Sequence, residues 1–310
     1  MASPRAVAMR TLRVDAMTAE VVRALGSAGC RSILLKGPSF RRELYDAGSP
    51  RPYVDSDLLV SPADLERAGA AVAALGFRMV MDHRDHASVS EPHAQEWERD
   101  GRKNLDLHWR IAGVGVPAED AWETLLAHAV PIAIGGATGE TLDRPGLALL
   151  VGLHAANHGR ARERSLDDLE RALERFDAHE WSEAARLAAE LGASEAFAAG
   201  LRLSEGGSRL AEVLALPAPG SARRRLLHAS PPPGSFGLLR ILESGTLRER
   251  ARALRAELLP APALMRTRDE RAARGGAWLA FAYVERVASR AWHLPAAVRA
   301  VGRSRRAARG

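Results

Sequence analysis

The chain has 310 residues, enough for one large or two ordinary domains, and its apolar fraction of 46% argues against a disordered protein. No apolar run reaches the roughly 18 residues that a membrane-spanning helix needs, and the first residues lack the apolar core of a secretory signal. The single cysteine, Cys30, excludes an internal disulfide and a cysteine-based zinc site. These features predict a protein of the reducing cytoplasm without a membrane segment.

The net charge is +6 and the isoelectric point is near 10.3, so an anionic partner is expected. Nearly all of the basic residues are arginine, and the only lysines are Lys36 and Lys103. Lys36 is notable, because a generic surface cation in this chain would be an arginine. Residues 298–310 are typical of a frayed, solvated basic tail. Nucleic acid stays open as a partner but is not favoured, since the other basic residues are scattered and no RNA-reading motif is present.

Apolar spacing and the residues that end helices and strands predict alternating elements in the first part of the chain. In chain order these are a helix (5–29), a strand (31–37), a helix closed by Gly48 (38–48), a strand (53–60), a helix (61–77), two edge strands or a hairpin (78–101) and a strand (101–111). The pattern predicts a mixed α/β unit.

The composition changes after about residue 112. Residues 130–145 have the pattern of a small hairpin with a Gly-Gly turn. From Pro145 onward the chain is rich in alanine, leucine and arginine at helical spacing. Breaks are expected at 206–207, 217–220 and 230–234. We therefore predict an α/β domain over residues 1–143 and a helical domain over residues 144–310.

The strand at 53–60 carries two aspartates, Asp55 and Asp57. Because side chains alternate along a strand, both lie on one face while Ser56 and Leu58 face the other way. Two adjacent carboxylates repel each other unless a cation lies between them, and a magnesium-triphosphate complex suits such a pair. Asp106, on a later strand, could be a third carboxylate, and three carboxylates can hold two metal ions. The alternative is an Asp-x-Asp pair that occurs by chance at a strand end.

A strand gives way to a helix at Lys36 and Gly37. Backbone N–H groups at such a turn favour phosphate, glycine permits close approach, and the Ser39 hydroxyl could meet a phosphate oxygen. The spacing of a P-loop is absent, so a plain strand-to-helix turn with a surface lysine is the alternative.

Taken together, these motifs resemble the uncharacterised bacterial nucleotidyltransferases of the DNA polymerase β-like superfamily. The matching segments are LLKG, the turn at Arg51, DSDLLV, LGF, NLDLHWRI, TLDRPGLALLVGLHAANH and SLDDLERAL. They cover roughly residues 20–175. The resemblance implies an α+β architecture, namely a minimal nucleotidyltransferase fold with a short mixed sheet flanked by helices, followed by a helical domain that closes over the nucleotide.

The resemblance also implies roles for individual residues. Asp55 and Asp57 match the paired metal aspartates of the family, and Asp106 matches its third carboxylate. Gly37 and Ser39 match the stretch where the wider superfamily grips the triphosphate. The implied cofactor is Mg²⁺ or Mn²⁺, and the implied substrate is a nucleoside triphosphate.

Two histidines, His154 and His158, are four residues apart on a predicted helix and share a face. No third ligand with suitable spacing is evident, which favours packing or pocket-lining roles over a zinc site. The resemblance implies that they face the cleft, and His158 is a candidate nucleotide contact. The polar loop 82–93 holds three further histidines in no recognisable ligand order and suggests a surface hairpin on the acceptor side.

Further candidates have a structural alternative beside the functional one. Asp167 and Asp168 precede a helical run and suit a helix N-terminus, while Asp168 also matches a family aspartate that could orient substrate or an adjacent arginine. Arg51 could contact a phosphate or simply be solvated. His108 shares the face of Asp106 and could bond a metal ligand or phosphate, while Trp109 packs into the core.

These observations lead to one hypothesis about function. A magnesium-dependent enzyme moves a nucleoside monophosphate from a nucleoside triphosphate to an acceptor hydroxyl or phosphate and releases pyrophosphate. Asp55 and Asp57 bind both metal ions, Asp106 bridges them or acts as the base, and the turn 36–39 holds the β- and γ-phosphates. The helical domain supplies a pocket for a small-molecule or peptide acceptor.

Two other functions remain open from the sequence. One is a transferase on the same scaffold that tailors a natural product or a ribosomally made peptide. The other is a non-catalytic member that binds nucleotide or a partner protein. The intact carboxylate set counts against the second, because loss of a carboxylate is the expected mark of an inactive member.

Overall fold

The structure is a computed structural model, and it describes residues 4–46, 49, 51–85, 92–218, 220–229, 231–269 and 271–308. Gly48 and His86, which the sequence patterns singled out, lie outside the described residues. None of the described helices is both long enough and apolar enough to cross a membrane.

The first part of the chain alternates helices and strands as predicted. Its elements are α1 (Pro4–Ser27), β1 (Ser32–Leu34), α2 (Pro38–Leu44), β2 (Ser56–Val60), α3 (Leu65–Ala74), β3 (Arg78–Asp82), β4 (Ala94–Arg99), β5 (Arg102–His108), α4 (Ala118–Leu126), β6 (Ala129–Ile134) and β7 (Ala137–Leu142). Helix α4 is an addition to the predicted set, and the hairpin expected at 130–145 is the pair β6–β7.

The seven strands form one mixed sheet in the order β3-β4-β5-β2-β1-β7-β6. The pairs β2–β5 and β1–β7 are parallel, and the other neighbours are antiparallel. The prediction of a mixed sheet flanked by helices is confirmed, and the sheet is larger than the short one expected. Strands β1, β2 and β5, which carry the candidate residues, lie next to one another at its centre.

Each face of the sheet packs against a separate apolar core. Along β2, Leu58 and Val60 lie in the core that includes α1 and α3, and Leu59 lies in the other core. Leu105 and Leu107 of β5 share the first core, as the predicted alternation requires. The side chains of Asp57 and Asp106 therefore point to the face that the helices after residue 143 cover.

The rest of the chain is helical, which confirms the prediction for this region. The helices are α5 (Arg144–His158), α6 (Glu163–Arg175), α7 (Ala178–Glu190), α8 (Ser194–Leu201), α9 (Glu205–Val213), α10 (Ala222–His228), α11 (Ser235–Glu243), α12 (Leu247–Leu258), α13 (Pro262–Arg268) and α14 (Gly276–Ala307). The C-terminal segment predicted as a frayed tail continues α14 as far as Ala307, because Ala300 and Val301 are buried.

The break expected at the glycine pair 206–207 is wrong. Both glycines lie in the first turn of α9, where the Ser204 hydroxyl accepts a hydrogen bond from Gly207 N at 3.0 Å. A Cβ atom on Gly207 would lie 2.1 Å from the carbonyl oxygen of Leu201, so this glycine serves close packing. The break lies just before it, between α8 and α9.

The chain divides into two compact units. The first comprises residues 1–82, 93–158 and 162–217, and the second comprises residues 83–92, 159–161 and 218–310. Within the first unit, helices α5–α9 share a core with the sheet. The domain boundary between residues 143 and 144 stays a prediction, since a compact unit and an independently folding domain are different properties.

Candidate active site

Two carboxylates meet where β2 and β5 run side by side. Asp57 and Asp106 are register partners in this parallel pair, and Leu59 is the partner of His108. One ligand atom from each of Asp57, Asp106 and His108 lies within 4.8 Å of the other two. The two carboxylates are ligands that Mg²⁺ or Mn²⁺ prefers, and the imidazole lies within hydrogen-bond distance of one of them. Asp55, directly before β2, does not contribute an atom to this group.

Asp57 is buried but charged, because two groups meet the same oxygen. The Lys36 ammonium lies 2.7 Å from Asp57 Oδ1, and His108 Nε2 lies 3.1 Å from it. Burial opposes ionisation, yet Lys36 and His108 hold the pKa of Asp57 below its usual range. The structure thus brings together three residues that the sequence had separated by up to 72 positions.

The other two aspartates resist ionisation. Burial raises the pKa of Asp106 to about 7, with Asp57 and Glu96 adding to the shift and Lys103 opposing it. Burial and the neighbouring charge of Asp57 also raise the pKa of Asp55. Asp55 and Asp106 therefore ionise less readily than free aspartates, and a divalent cation bound beside them would favour their charged forms.

Lys103 and Glu96 belong to this cluster, although the sequence analysis gave them no role. Lys103 Nζ lies 3.2 Å from Asp106 Oδ1 and 3.1 Å from Glu96 Oε2. Strict alternation would place Lys103 and Asp106 on opposite faces. Trp97 pairs with Leu105 and Glu98 pairs with Lys103, so an extra residue bulges out of β5 and turns Lys103 towards Asp106. The sequence contained one signal of a role for Lys103, because lysine is rare in this chain.

The Lys-Gly turn places Lys36 beside the carboxylates. Gly37 has φ +70°, a left-handed backbone conformation that favours glycine. Ser39 is fully buried, and its hydroxyl donates to the Leu34 carbonyl oxygen at 3.3 Å and accepts from Thr141 at 2.7 Å. The structure does not bring Ser39 to the carboxylate cluster.

Arg51 and Asp168 form a buried ion pair. Arg51 donates through Nε and Nη2 to the two carboxylate oxygens of Asp168, at 2.7 and 2.6 Å. The Tyr45 hydroxyl donates to the same carboxylate at 2.8 Å, and burial together with Asp168 raises the pKa of Tyr45 to about 12. The Arg51 guanidinium is therefore engaged with α6. Of the two roles considered for Asp168, this arrangement corresponds to orienting an arginine.

Helix α5 turns its two histidines towards Lys36 and Asp57. The rings of His154 and His158 are 4.5 Å apart and nearly perpendicular, and His158 Nε2 lies 3.2 Å from Arg162. Burial lowers the pKa of both histidines, and Arg162 and Lys36 contribute to lowering that of His158 to about 4. Both rings are therefore neutral at physiological pH and cannot serve as cations for phosphate.

A cavity of about 50 Å³ opens between the Lys-Gly turn and α5. Its polar lining consists of Lys36, His93, His108, His154 and Asn157. The His93 ring stacks on the His108 ring at 5.5 Å. His93 belongs to the polar loop that was expected on the acceptor side, and the spacing of its histidines contained no signal of this contact.

Comparison with known proteins places these residues in a family. A family model described as "Uncharacterised nucleotidyltransferase" matches residues 2–206, about two-thirds of the chain, and every residue discussed in this section lies within the match. No curated protein matches the chain.

The chain is similar to two solved structures at low sequence identity. The antibiotic-resistance factor ANT(2'')-Ia is 15% identical, and the alignment covers 60% of this chain and 97% of that one with a TM-score of 0.43. An antigenic nucleotidyltransferase-like protein from Paracoccidioides brasiliensis is 13% identical, with coverage of 68% and 95% and a TM-score of 0.38.

Proposed function

We propose a specific reaction for this chain, which belongs to the family of uncharacterised nucleotidyltransferases. In this reaction a nucleoside monophosphate passes from a nucleoside triphosphate to an acceptor hydroxyl or phosphate, with Mg²⁺ or Mn²⁺ as the cofactor and pyrophosphate as the second product. The reaction takes place in the cytoplasm, and the acceptor is a small molecule or a peptide.

The observation that carries the proposal is the pairing of Asp57 with Asp106 across two parallel strands, with His108 beside both. Asp57 and Asp106 would hold the cation, Asp55 would join them, and His108 would hold the Asp57 carboxylate in place. When bound, a divalent cation supplies charge neutralisation at the triphosphate and acidifies the attacking hydroxyl. The donor chemistry fits this role, and so do the neighbouring carboxylates, which add to the effect of burial in raising the pKa of Asp106.

The side chains of the site supply the remaining parts of the reaction. The acceptor oxygen attacks the α-phosphorus, the bond from that phosphorus to the bridging oxygen of the β-phosphate breaks, and pyrophosphate leaves. The proton of the acceptor hydroxyl passes to the Asp106 carboxylate, which lies beside Asp57 in the cluster. The Lys36 ammonium, at the mouth of the turn 36–39, pairs with the β- and γ-phosphates. His108 orients the Asp57 carboxylate.

The residues outside the cluster have supporting roles in this proposal. The ion pair of Arg51 and Asp168 stabilises the Lys-Gly turn. Gly37 of this turn lies directly before α2, and Tyr45, whose hydroxyl donates to Asp168, lies directly after α2. Neutral His158 lines the nucleotide side of the site. A non-catalytic nucleotide-binding role is disfavoured, since all three aspartates are retained.

The test measures pyrophosphate release from each of the four nucleoside triphosphates with Mg²⁺ and a mixture of hydroxyl-bearing acceptors. Asp57→Asn should lower the rate by about 10²–10³-fold, the range found when one preorganised electrostatic partner is lost. Asp167→Asn, a change to an exposed aspartate of α6, is the control and should leave the rate unchanged. The proposal fails if the protein binds no nucleoside triphosphate with Mg²⁺, or if Asp57→Asn releases pyrophosphate as fast as the wild type.

A further inference from the structure

A cationic groove lies beside the carboxylate cluster in the first compact unit. It has a volume of about 780 Å³ and is lined by α1, by the residue before Asp55 and by the start of β5. Arg10, Arg13, Arg102 and Lys103 supply its charge, and no acidic residue of the described part of the chain lines it. Met17 and Val54 supply apolar surface between the cations. We name this feature the α1–β5 groove.

The α1–β5 groove adjoins the candidate active site at Lys103 and Val54. Lys103 lines the groove and also lies 3.2 Å from Asp106 Oδ1. Val54 is 45% exposed, lines the groove and directly precedes Asp55 in the chain. A molecule in the groove therefore lies next to the carboxylates on which the proposed transfer depends.

Most of the positive charge of the groove has no acidic partner. Among the described residues, Arg10, Arg13 and Arg102 form no ion pair, whereas Lys103 pairs with Glu96 and Asp106. Two other carboxylates of these elements bond arginines outside the groove, since Glu98 bonds Arg78 and Glu20 bonds Arg99. Like charges gathered in one concave surface repel each other, and a bound anion removes that cost. This charge pattern selects an anionic ligand.

We infer that the α1–β5 groove binds the acceptor, and that the acceptor is a small phosphorylated molecule with an apolar portion. The inference rests on the proposed function, because it assigns the second substrate of the same reaction. Arg10 and Arg13 are three residues apart on one helix, share a face and can meet a single phosphate from the same side. The apolar portion lies against Met17 and Val54. The attacking hydroxyl is a separate group of the same molecule and reaches Asp106 past Lys103, which lines the groove and contacts that carboxylate.

The size and position of the groove favour this ligand over the other anions. A volume of about 780 Å³ is in the range of a small-molecule site, whereas nucleic acid is held along an extended track. The triphosphate of the nucleotide has its own cation in Lys36, which reaches Asp57 from the opposite edge of β2, next to β1.

The experiment uses phenyl phosphate as the probe and benzyl alcohol as its uncharged analogue, with the full chain at low ionic strength. Binding is measured by calorimetry for the wild type, for the double variant Arg10→Gln/Arg13→Gln and for Arg23→Gln. Arg23 is an exposed arginine of the same helix outside the groove, and it is the matched control. Binding of ATP with Mg²⁺ is measured in parallel for each protein.

We expect the wild type to bind phenyl phosphate and not benzyl alcohol. The double variant should weaken phenyl phosphate binding at least about tenfold, because charge-assisted hydrogen bonds to the phosphate are lost. The affinity of the double variant for ATP with Mg²⁺ should stay within about twofold of the wild-type affinity. The two lost charges lie farther from the triphosphate than from the groove ligand, and salt screens their effect over that distance. Arg23→Gln should match the wild type for both ligands.

Three results would overturn the inference. Phenyl phosphate could bind the double variant and the wild type equally, or the double variant could lose ATP to the same extent as phenyl phosphate. The third result concerns single-stranded oligonucleotides. If their affinity increased as their length increased from 5 to 20 nucleotides, and if that affinity depended on Arg10 and Arg13, the groove would be a nucleic-acid site. A protein that binds phenyl phosphate through these arginines but no ATP would instead refute the proposed transfer and, with it, the acceptor role of the groove.

Discussion

Asp57 keeps its charge inside the protein because Lys36 and His108 both meet its Oδ1 atom. A carboxylate in such a place would otherwise take up a proton to avoid the cost of burial. Asp106, one strand away, has only the more exposed Lys103 nearby and has a pKa of about 7. The two neighbouring aspartates therefore differ in pKa. In the proposed reaction Asp57 is the fixed charge, and Asp106 is the group that can exchange a proton.

His158 should titrate far below the usual range of a histidine. Burial, with Arg162 and Lys36 nearby, lowers its pKa to about 4, so the folded protein prefers the neutral ring. The stability that this preference contributes is complete above the unfolded pKa of about 6.5 and is lost as the pH falls towards 4. We expect the His158 Cε1 proton, assigned by comparison with His158→Gln, to shift in NMR spectra with a midpoint near 4.

The same variant provides the check on stability. His158→Gln should lose less free energy of unfolding between pH 6.5 and pH 4 than the wild type does, because the variant has no ring to protonate there. A midpoint near 6.5 for the wild-type resonance would show that Arg162 and burial do not act on this ring as the structure indicates.

Asp168 should be required for stability. Its carboxylate is fully buried and receives three hydrogen bonds from Arg51 and Tyr45. Asp168→Asn leaves the Arg51 charge buried without a counter-charge, which costs about 3–5 kcal/mol when one partner of a buried pair is removed. Urea unfolding should therefore show a large decrease in midpoint.

The preceding residue is the control for this prediction. Asp167 is exposed on the same helix, and Asp167→Asn should change the free energy of unfolding by no more than about 0.5 kcal/mol. Equal midpoints for the two variants would mean that the buried ion pair does not contribute to folding. Because Arg51 donates from Nη1 to the Gly37 carbonyl oxygen at 3.5 Å, Asp168→Asn should also weaken nucleotide binding.

At the level of elements, the position of α5 depends on a glycine contact. A Cβ atom on Gly200 of α8 would lie 1.9 Å from the carbonyl oxygen of Gly152 on α5, and a Cβ atom on Gly152 would lie 2.5 Å from the Phe197 ring. The two helices can approach this closely only because both positions lack a side chain. Helix α5 also carries His154 and His158, so the contact sets how far these rings reach towards Lys36.

Gly200→Ala should destabilise the protein by about 1–3 kcal/mol, because the clash is with backbone and can be relieved only by moving a helix. Gly26 of α1 has nothing within 4 Å of the place where its Cβ atom would be. Gly26→Ala should therefore be neutral or stabilise the protein by up to about 1 kcal/mol through helix propensity. Thermal unfolding of both variants tests this. A stabilising Gly200→Ala would contradict the close approach of the helices.

At the level of the whole molecule, the sheet and the helices up to α9 form one compact unit, and the residues directly after α9 pack back onto it. Leu216 packs on the core of this unit, and Arg202 donates to the carbonyl oxygens of Leu216 and Pro217 at 2.8 and 2.6 Å. The family match ends at residue 206, just before this point. The residues proposed to bind the nucleotide and the cation all precede it.

We therefore expect a chain that ends after Pro217 to fold and to bind a nucleoside triphosphate with Mg²⁺. Circular dichroism should show a cooperative unfolding transition, and calorimetry should give a dissociation constant close to that of the full chain. Addition of saturating ligand should raise the unfolding temperature, since a ligand that binds only the folded state stabilises it. A fragment without a cooperative transition would show that residues 218–310 are required for folding.

Much of the α/β part could be predicted from local patterns. The strands of residues 31–37, 53–60 and 101–111 are short apolar or alternating runs between turn residues, and their period of two correctly placed Asp106 opposite Leu105 and Leu107. Helix α4 was not predicted, although Glu119 and Asp120 in its first turn and the buried Trp122 were signals of a short amphipathic helix. Such features depend on residues near one another in the chain.

The candidate site depended on contacts that no local pattern contains. Alternation places Asp106 on a face, but the register of β2 with β5 is set by packing across the whole sheet, and only that register puts Asp106 next to Asp57. The bulge that turns Lys103 towards Asp106 and the burial that neutralises His158 arise in the same way. The residue types of the site, and the alternation along each strand, could be read from the sequence. Their distances, charges and partners are properties of the packed sheet and helices, because burial and register act between residues that are far apart in the chain.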